Sequence, residues 1–424
     1  MRISGNVPYP YYYPYISSCP NIVGDPCAKE ISCYFDYNGV YDPLRGTGTC
    51  HDNQQNNNIC YKDRDPRLEK YDYLCYDQTP YQDPSICQQF AVQRLVSNLF
   101  EFARNFDINL LDPWGIVIAD DVVWVANAGT GLITTYDLLG CPLGPIINVF
   151  GSVNNIGGPT GIVYNNSLEF IIRSGRVSGP AYIIVATIDG TINGYNFSVD
   201  PINAILVVDN TANNSVYRGL AIARINNRLL DYHNNLFLYA ADFYNGKIDV
   251  FDSNFNQINN FSFLDEFSGD PIPEDYAPFN IVNIGDLLYV LYAKQDPFDN
   301  QYELPGTGNG YISIFSTNGT FIKRFVSRCV LNAPWGLALV PSWFGYPAGA
   351  IMVSNSGDGT INIFDCEGKF LGKLKDEEGH DICVDGLRAL VNNPNYLRII
   401  YWTASSNSFL DANVGTITSQ AIEC

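Results

Sequence analysis

The amino-acid sequence predicts an all-β fold: a six-bladed β-propeller that is closed by an N-terminal strand and preceded by a small, irregular, disulfide-rich segment. Two recurring signatures and the composition support this prediction. From residue 112 onward, a turn that leads into an apolar strand occurs six times, and a Gly-x-Ile signature accompanies it. The chain of 424 residues also contains 36 Gly, 24 Pro and 29 Tyr, a composition that favours turns and strands.

The first signature is a short turn that ends in Gly and leads into an apolar strand. In one copy Asn replaces the Gly, and Asn tolerates the left-handed backbone that Gly adopts freely. The signature therefore marks the start of the first strand of each repeat. The six copies are Pro113-Trp114-Gly115, Pro159-Thr160-Gly161, Tyr217-Arg218-Gly219, Pro278-Phe279-Asn280, Pro334-Trp335-Gly336 and Val384-Asp385-Gly386.

The second signature is a Gly, one variable residue and an Ile, with an aromatic residue five positions after the Gly in every copy except the last. Several copies carry Asn-Gly or Asp-Gly, dipeptides that favour tight hairpins. Each repeat is therefore a meander of about four strands, on the scale of a propeller blade. The copies are Gly131/Ile133/Tyr136, Gly190/Ile192/Tyr195, Gly246/Ile248/Phe251, Gly310/Ile312/Phe315, Gly359/Ile361/Phe364 and Gly415/Ile417.

The last repeat lacks a fourth strand, because only three are predicted in it, near Leu387 to Val391, Leu397 to Thr403 and Gly415 to Ser419. The segment Val92 to Leu99 precedes the first repeat and has no partner of its own. We expect it to form the outer strand of the last blade, since this pairing removes an exposed sheet edge. The predicted units are a segment at 1–88 and a propeller at 89–424, with blades at about 112–151, 158–209, 216–265, 276–327, 331–379 and 382–424.

The charge pattern argues against nucleic acid and membrane as direct partners. The formal net charge is -20, from 24 basic and 44 acidic residues, and no run of Lys or Arg would form a groove for phosphates. The first residues contain prolines and tyrosines where a secretory signal needs an apolar stretch. No stretch of about 18 apolar residues would span a membrane. We therefore predict no signal peptide, no transmembrane segment and no nucleic-acid partner.

The front segment is rich in cysteine and tyrosine. Disulfides are the favoured interpretation, because a short polar segment needs covalent staples, whereas zinc binding lacks C-x2-C pairs and has only His51 nearby. The number of these cysteines is odd, so one thiol is free or bonds to the propeller or to another molecule. Alternating Pro and Tyr favour an extended backbone that docks on a protein partner; the alternative is a disordered leader. The disulfide candidates are Cys19, Cys27, Cys33, Cys50, Cys60, Cys75 and Cys87.

The mouth of the central channel is the predicted ligand site. Two indoles, a guanidinium and carboxylates there could hold a sugar or another small polar ligand; alternatively, the indoles plug the channel and the polar groups bond to buried backbone. Two rings of residues define this face. The first ring is Trp114, Thr160, Arg218, Phe279, Trp335 and Asp385. The second ring, after the second strands, is Asn127, Thr187, Asp242, Lys294, Asn355 and Thr403.

No cofactor is required by the sequence, although four hard oxygen donors on this face, Asp242, Asp385, Asn127 and Asn355, would suit Ca²⁺ or Mg²⁺. Lys294 and Arg218 argue against this metal site, because they place positive charge where a cation would bind. Nucleophilic catalysis has little support, since the chain has three His and no G-x-S-x-G motif. The sequence therefore favours a protein without catalytic residues.

Several stretches, among them DPWGIVIADDVVWVANAGTG, LYAADFYNGKIDVFDSNF and SGDGTINIFD, resemble a bacterial family of NHL-like propeller proteins that are often exported and have no assigned function. The resemblance covers about residues 92–424 and implies the propeller fold. It departs in the last blade, where Arg388 stands at a position that is usually Trp. The first 90 residues instead resemble, in composition, virion proteins of giant DNA viruses.

These resemblances and the residue patterns predict a non-enzymatic structural or interaction protein. It would belong to a large assembly, such as a giant-virus particle, in an extracellular or oxidising setting. The propeller would be displayed, and the front segment would anchor it to protein partners or to further copies through disulfides. The alternative is a lactonase-like propeller hydrolase with a divalent metal, or a protein that binds a small ligand or sugar at the channel mouth.

Overall fold

A computed structural model describes residues 86–152, 155–225, 235–393, 398–406 and 411–423. These residues form a six-bladed β-propeller, as the sequence predicts. Within these ranges, two short strand pairs and two 3-10 turns, Thr211–Asn213 and Ser342–Phe344, lie outside the blades. No helix among the described residues is long and apolar enough to cross a bilayer.

Each blade is an antiparallel meander that we number from the chain's first complete blade. Within each blade the first strand is innermost, and the order runs outward. Blade 1 contains Pro113–Ala119, Val122–Asn127, Leu132–Tyr136 and Pro142–Asn148. Blade 2 contains Pro159–Tyr164, Ile183–Thr187, Thr191–Tyr195 and Ile205–Asp209. Blade 3 contains Tyr217–Arg224, Leu236–Asp242, Lys247–Phe251 and Gln257–Ile258.

The remaining blades follow the same plan. Blade 4 contains Tyr276–Ile284, Leu287–Lys294, Gly310–Ser316 and Phe321–Ser327. Blade 5 contains Pro334–Leu339, Ile351–Asn355, Ile361–Phe364 and Phe370–Lys373. Blade 6 contains Leu387–Asn392, Ile399–Ser406, Asp411–Glu423 and Ile86–Ser97, with the short strand Asn105–Phe106 at its edge. The pairs outside the blades are Phe150–Ser152 with Asn155–Ile156 and Ile171–Ser174 with Val177–Pro180.

The innermost strands close a ring. Each one contacts the innermost strands of the two neighbouring blades, and Leu387–Asn392 of blade 6 contacts Pro113–Ala119 of blade 1. A side-chain hydrogen bond ties the same two blades together, because the Thr403 hydroxyl donates to the carbonyl oxygen of Trp114. The first and last blades are therefore neighbours in space although they lie at opposite ends of the propeller sequence.

The strand Ile86–Ser97 completes blade 6. It pairs antiparallel with Asp411–Glu423, so that Ala91 lies opposite Thr418, and a bulge interrupts the register between Arg94 and Val96. The predicted closing strand is thus confirmed, although it begins earlier than Val92 and ends before Leu99. Buried apolar side chains from this strand pack into the cores of neighbouring blades: Phe90, Leu95 and Val96.

The Gly-x-Ile signature has two structural roles. Gly131, Gly190, Gly246 and Gly359 have positive φ angles and form the tight turns that the sequence predicts. Gly415 has another reason, because an added Cβ would lie 2.2 Å from the ring of Trp402. The Ile of the signature is fully buried in five blades, which explains why it recurs: Ile133, Ile192, Ile312, Ile361 and Ile417.

The predictions for the front segment lie outside the described residues. These include the disulfides at Cys19, Cys27, Cys33, Cys50, Cys60 and Cys75, and the side chain of Cys87 is likewise not described. Within the propeller, Cys141 is an exposed free thiol. The disulfide framework therefore stays a prediction.

Candidate functional site

An aromatic cluster fills the axis at the mouth of the channel. Trp114 of blade 1 packs edge-to-face on Phe279 of blade 4, with ring centroids 6.0 Å apart, and on Trp335 of blade 5 at 5.9 Å. All three side chains are buried. Blades 1 and 4 face each other across a ring of six, so their contact spans the channel. Trp114 and Trp335 are 2% and 4% exposed, so their indoles offer no open stacking face in this structure.

Two buried arginines lie over the indole of Trp114. The Cζ atom of Arg388 is 4.0 Å from the ring centroid and that of Arg218 is 4.7 Å away, distances typical of cation–π contacts. Arg388 forms an ion pair with Asp112 at 3.2 Å, and the indole N–H of Trp114 donates to the other oxygen of that carboxylate. The guanidinium of Arg218 donates to the carbonyl oxygen of Gln301. Burial lowers the pKa of Arg218, and the nearby charge of Arg388 lowers it further.

The structure corrects the position of blade 6 in the first ring. Pro113 pairs with Asn127 in blade 1, and Leu387 pairs with Ala404 in blade 6, with the same irregularity following each pair. The residue equivalent to Trp114 is therefore Arg388, and the predicted Asp385 is an exposed residue in the preceding turn. The sequence signature placed the ring residue three positions too early, because Gly386 completes a turn, with a φ of 68°, that resembles the signature.

The second ring consists mainly of side chains that hold the turns of their own blades. Asp242 accepts hydrogen bonds from the backbone N–H of Val216 at 3.0 Å and from the Asn245 side chain at 2.8 Å. Lys294 is only partly buried and forms an ion pair with Asp275 at 3.2 Å. The other members bond to nearby backbone or hydroxyl groups: Asn127, Thr187, Asn355 and Thr403. In the first ring, Thr160 similarly donates to the carbonyl of Tyr217.

The four candidate metal ligands lie in four different blades. Asn127 is in blade 1, Asp242 in blade 3 and Asn355 in blade 5, while Asp385 precedes the first strand of blade 6. Within the described ranges, the ligand atoms of Asp376, Glu378 and His380 lie within 4.8 Å of one another, on a surface loop after blade 5. Such exposed acidic loops are common without a metal. A Ca²⁺ or Mg²⁺ site at the mouth stays a prediction, which metal analysis of the purified full-length protein would test.

A polar cleft with a volume of about 270 Å³ lies beside the axial cluster. It is formed by the turn after the second strand of blade 2, the connection from blade 2 to blade 3, a turn of blade 3 and a loop of blade 4. Because the connection from blade 2 to blade 3 and the loop of blade 4 lie outside the repeated signatures, the repeat pattern in the sequence does not reveal the cleft. Its lining is Ile188, Asp189, Thr211, Asn214, Ser215, Val216, Tyr244 and Gln301.

The carboxyl group of Asp189, which lines this cleft, is expected to make the stability of the folded protein depend on pH. Desolvation by the surrounding protein raises the pKa of Asp189, and a hydrogen bond from the backbone N–H of Gly158, 2.7 Å long, opposes the rise. A carboxyl whose pKa is raised by folding destabilises the folded state once it ionises. The free energy of unfolding, relative to Asp189→Asn, should therefore be highest below about pH 3.9, fall as the pH rises through the folded pKa, and level off above it. Urea unfolding of both proteins across this range measures the difference, and a difference independent of pH would contradict the assignment.

The fold and its plugged axis define a six-bladed β-propeller protein. No family model matches the chain. The chain belongs to a family of mimivirus proteins, since it is 32% identical to the uncharacterized protein R640 of Acanthamoeba polyphaga mimivirus, over 98% of this chain and 97% of that protein. Two more uncharacterized proteins of that virus, L690 and R648, are each 40% identical over 335 residues, or 78% of this chain and 87% and 81% of theirs.

Solved structures with a similar arrangement include the virginiamycin B lyase of Staphylococcus aureus, with 10% identity and a TM-score of 0.44 over 78% of this chain and 99% of that chain. A Bacteroides thetaiotaomicron protein of unknown function has 9% identity and a TM-score of 0.48, over 79% of this chain and 76% of that one. Identities this low carry no activity over to this chain. The three sequence relatives named above are viral proteins.

Proposed function

We propose that this protein is a non-enzymatic component of a giant-virus particle, in which the propeller is displayed and the front segment, residues 1–88, anchors it. The observation that carries the non-enzymatic part is the closed axis. Trp114, Phe279 and Trp335 occupy the position where a propeller would bind a substrate in its channel, and all three are buried. A side chain that fills the axis stabilises the ring but leaves no room for a reacting molecule.

Membership of a mimivirus family supports the assembly part of the proposal. The match with R640 extends over 98% of this chain, so it includes most of the front segment as well as the propeller. A segment with seven cysteines and many tyrosines suits attachment, because tyrosines contribute strongly to protein interfaces and disulfides lock a contact once it has formed. We therefore assign binding of protein partners to this segment.

The experiment compares virus particles that carry tagged full-length protein with particles that carry a tagged variant lacking residues 1–85. Full-length protein should co-purify with particles through a density gradient, and the truncated variant should stay in the unassembled fraction. Gels run without reductant should show higher-mass species only for the full-length protein, and reductant should remove these species. A variant with serine at the front cysteines separates disulfide cross-linking from docking. Equal incorporation of both proteins would refute the anchoring role, and full-length protein absent from particles would refute the proposal.

A further inference from the structure

We propose that the polar cleft between blades 2, 3 and 4 binds a small, neutral, polyhydroxylated ligand about the size of one sugar ring. This inference goes beyond the assembly role and does not depend on it. It also places the ligand away from the axis, whereas the sequence-based hypothesis placed the ligand at the mouth of the central channel. The cleft is a concave polar surface whose lining includes none of the three aromatic side chains that plug the channel mouth.

The cleft has polar groups that the fold does not use. The buried hydroxyl of Ser215 has no hydrogen-bond partner among the described residues. The same part of the structure gives no hydrogen bond to the side chains of Asn214, Tyr244 and Gln301. The side chains of Asp242 and Asn355 in the second ring differ, because they form hydrogen bonds to the turns and connections next to them. A buried hydroxyl without a partner is costly, so a ligand or water that bonds to it has a favourable contribution.

The charge and size of the cleft restrict the ligand. Its lining includes the carboxylate of Asp189 and no Lys or Arg, in a protein with a net charge of -20, so an anionic ligand would be repelled. Hydroxyl and amide groups can both accept from and donate to sugar hydroxyls, and a carboxylate accepts from them. The volume of about 270 Å³ lies just below the usual range for drug-sized ligands, which suits a single ring.

The walls of the cleft are fixed by hydrogen bonds before any ligand binds. The backbone N–H of Val216 donates to Asp242, and the N–H of Phe243 donates to the carbonyl of Val216 at 2.9 Å. The side chain of Gln295 donates to the carbonyls of Phe243 and Tyr244, which fixes the turn that carries Tyr244. Binding therefore requires little ordering of the chain, which favours measurable affinity for a small ligand.

The test is saturation-transfer NMR and titration calorimetry of the full-length protein with a panel of neutral monosaccharides, with glucuronate as the anionic comparison. At least one neutral sugar should bind saturably, and glucuronate should bind more weakly. Asp189→Asn, which can keep the bond from Gly158, and Tyr244→Phe should each weaken binding on the order of tenfold. Asp121→Asn, in an exposed turn of blade 1, is the matched control and should bind as the wild type does.

Two outcomes would overturn this proposal. One is the absence of saturable binding by every neutral sugar in the panel at millimolar concentration. The other is binding that neither cleft variant weakens, which would place the ligand elsewhere. Circular dichroism and urea unfolding of each variant show whether the fold is retained. Since particle association is measured separately, failure of sugar binding leaves the assembly role standing, and the reverse also holds.

Discussion

Replacing Arg324 by methionine is expected to lower the free energy of unfolding by about 3–5 kcal/mol, because it leaves a buried carboxylate without its partner. Arg324 lies in the outer strand of blade 4 and pairs with Asp265 at 2.9 Å, with side-chain exposures of 4% and 7%. A second nitrogen donates to the same carboxylate at 3.1 Å, and the Ser313 hydroxyl also donates to it. The guanidinium further lies 4.9 Å from the ring centroid of Tyr311.

A matched control is the neighbouring residue. Lys323 forms an ion pair with Glu367 at 3.0 Å, but the side chains are 20% and 48% exposed. Lys323→Met should therefore cost about 0–1 kcal/mol. The double variant Arg324→Met with Asp265→Leu should recover most of the loss, since it removes the unpaired charge. Urea unfolding measures all four proteins, and equal effects at positions 323 and 324 would show that the buried pair does not stabilise the fold.

Removal of the closing strand should prevent the propeller from folding as a monomer. Phe90, Leu95 and Val96 bury their side chains against neighbouring blades, and each contributes about 1.5–3 kcal/mol. Their sum is comparable to the whole stability of a typical domain, about 5–15 kcal/mol. The deletion also exposes the edge of Asp411–Glu423, which favours aggregation.

The comparison uses two truncated proteins. Residues 86–424 keep the strand and should unfold cooperatively, whereas residues 100–424 lack it and should be aggregated or largely unfolded. A synthetic peptide of residues 86–99 should restore folded protein when added to the shorter chain, because strand addition to a free edge satisfies its hydrogen bonds. Gel filtration and circular dichroism measure both effects. Equal stability of the two truncated proteins would show that blade 6 does not need this strand.

The sequence predicts the ring of blades because each repeat reflects local requirements for turn conformation and for burial of apolar side chains. The signature has a positive-φ Gly in four blades and a fully buried Ile in five, so the spacing of the signatures identifies the sheets. The closing strand was predictable for a different reason, since a three-stranded last repeat needs a partner. The same method placed Asp385 in the first ring, because the turn at Gly386 imitates the repeat and only the strand register identifies Arg388.

The site was less predictable, because it depends on contacts between blades. The repeat positions of Trp114 and Trp335 predict that both lie on the same face. They do not predict whether the two indoles pack against each other or are open to a ligand. Their edge-to-face contact at 5.9 Å decides this. The cleft at Asp189 also depends on Thr211, Asn214 and Gln301, which lie in connections outside the two repeated signatures, so the repeats alone do not mark it. The unpartnered hydroxyl of Ser215 is visible only once the neighbouring chain segments are placed.

The most direct test of the account is a cross-link between the two ends of the propeller. Ala91 and Thr418 lie opposite each other on paired strands, so cysteines at both positions should form a disulfide that mass spectrometry detects as one linked peptide. The account predicts this link in monomeric protein with unchanged circular dichroism, and no link when cysteine at position 91 is combined with cysteine at Ser316 in blade 4. A link to position 316, or none to 418, would contradict closure of the ring by the N-terminal strand.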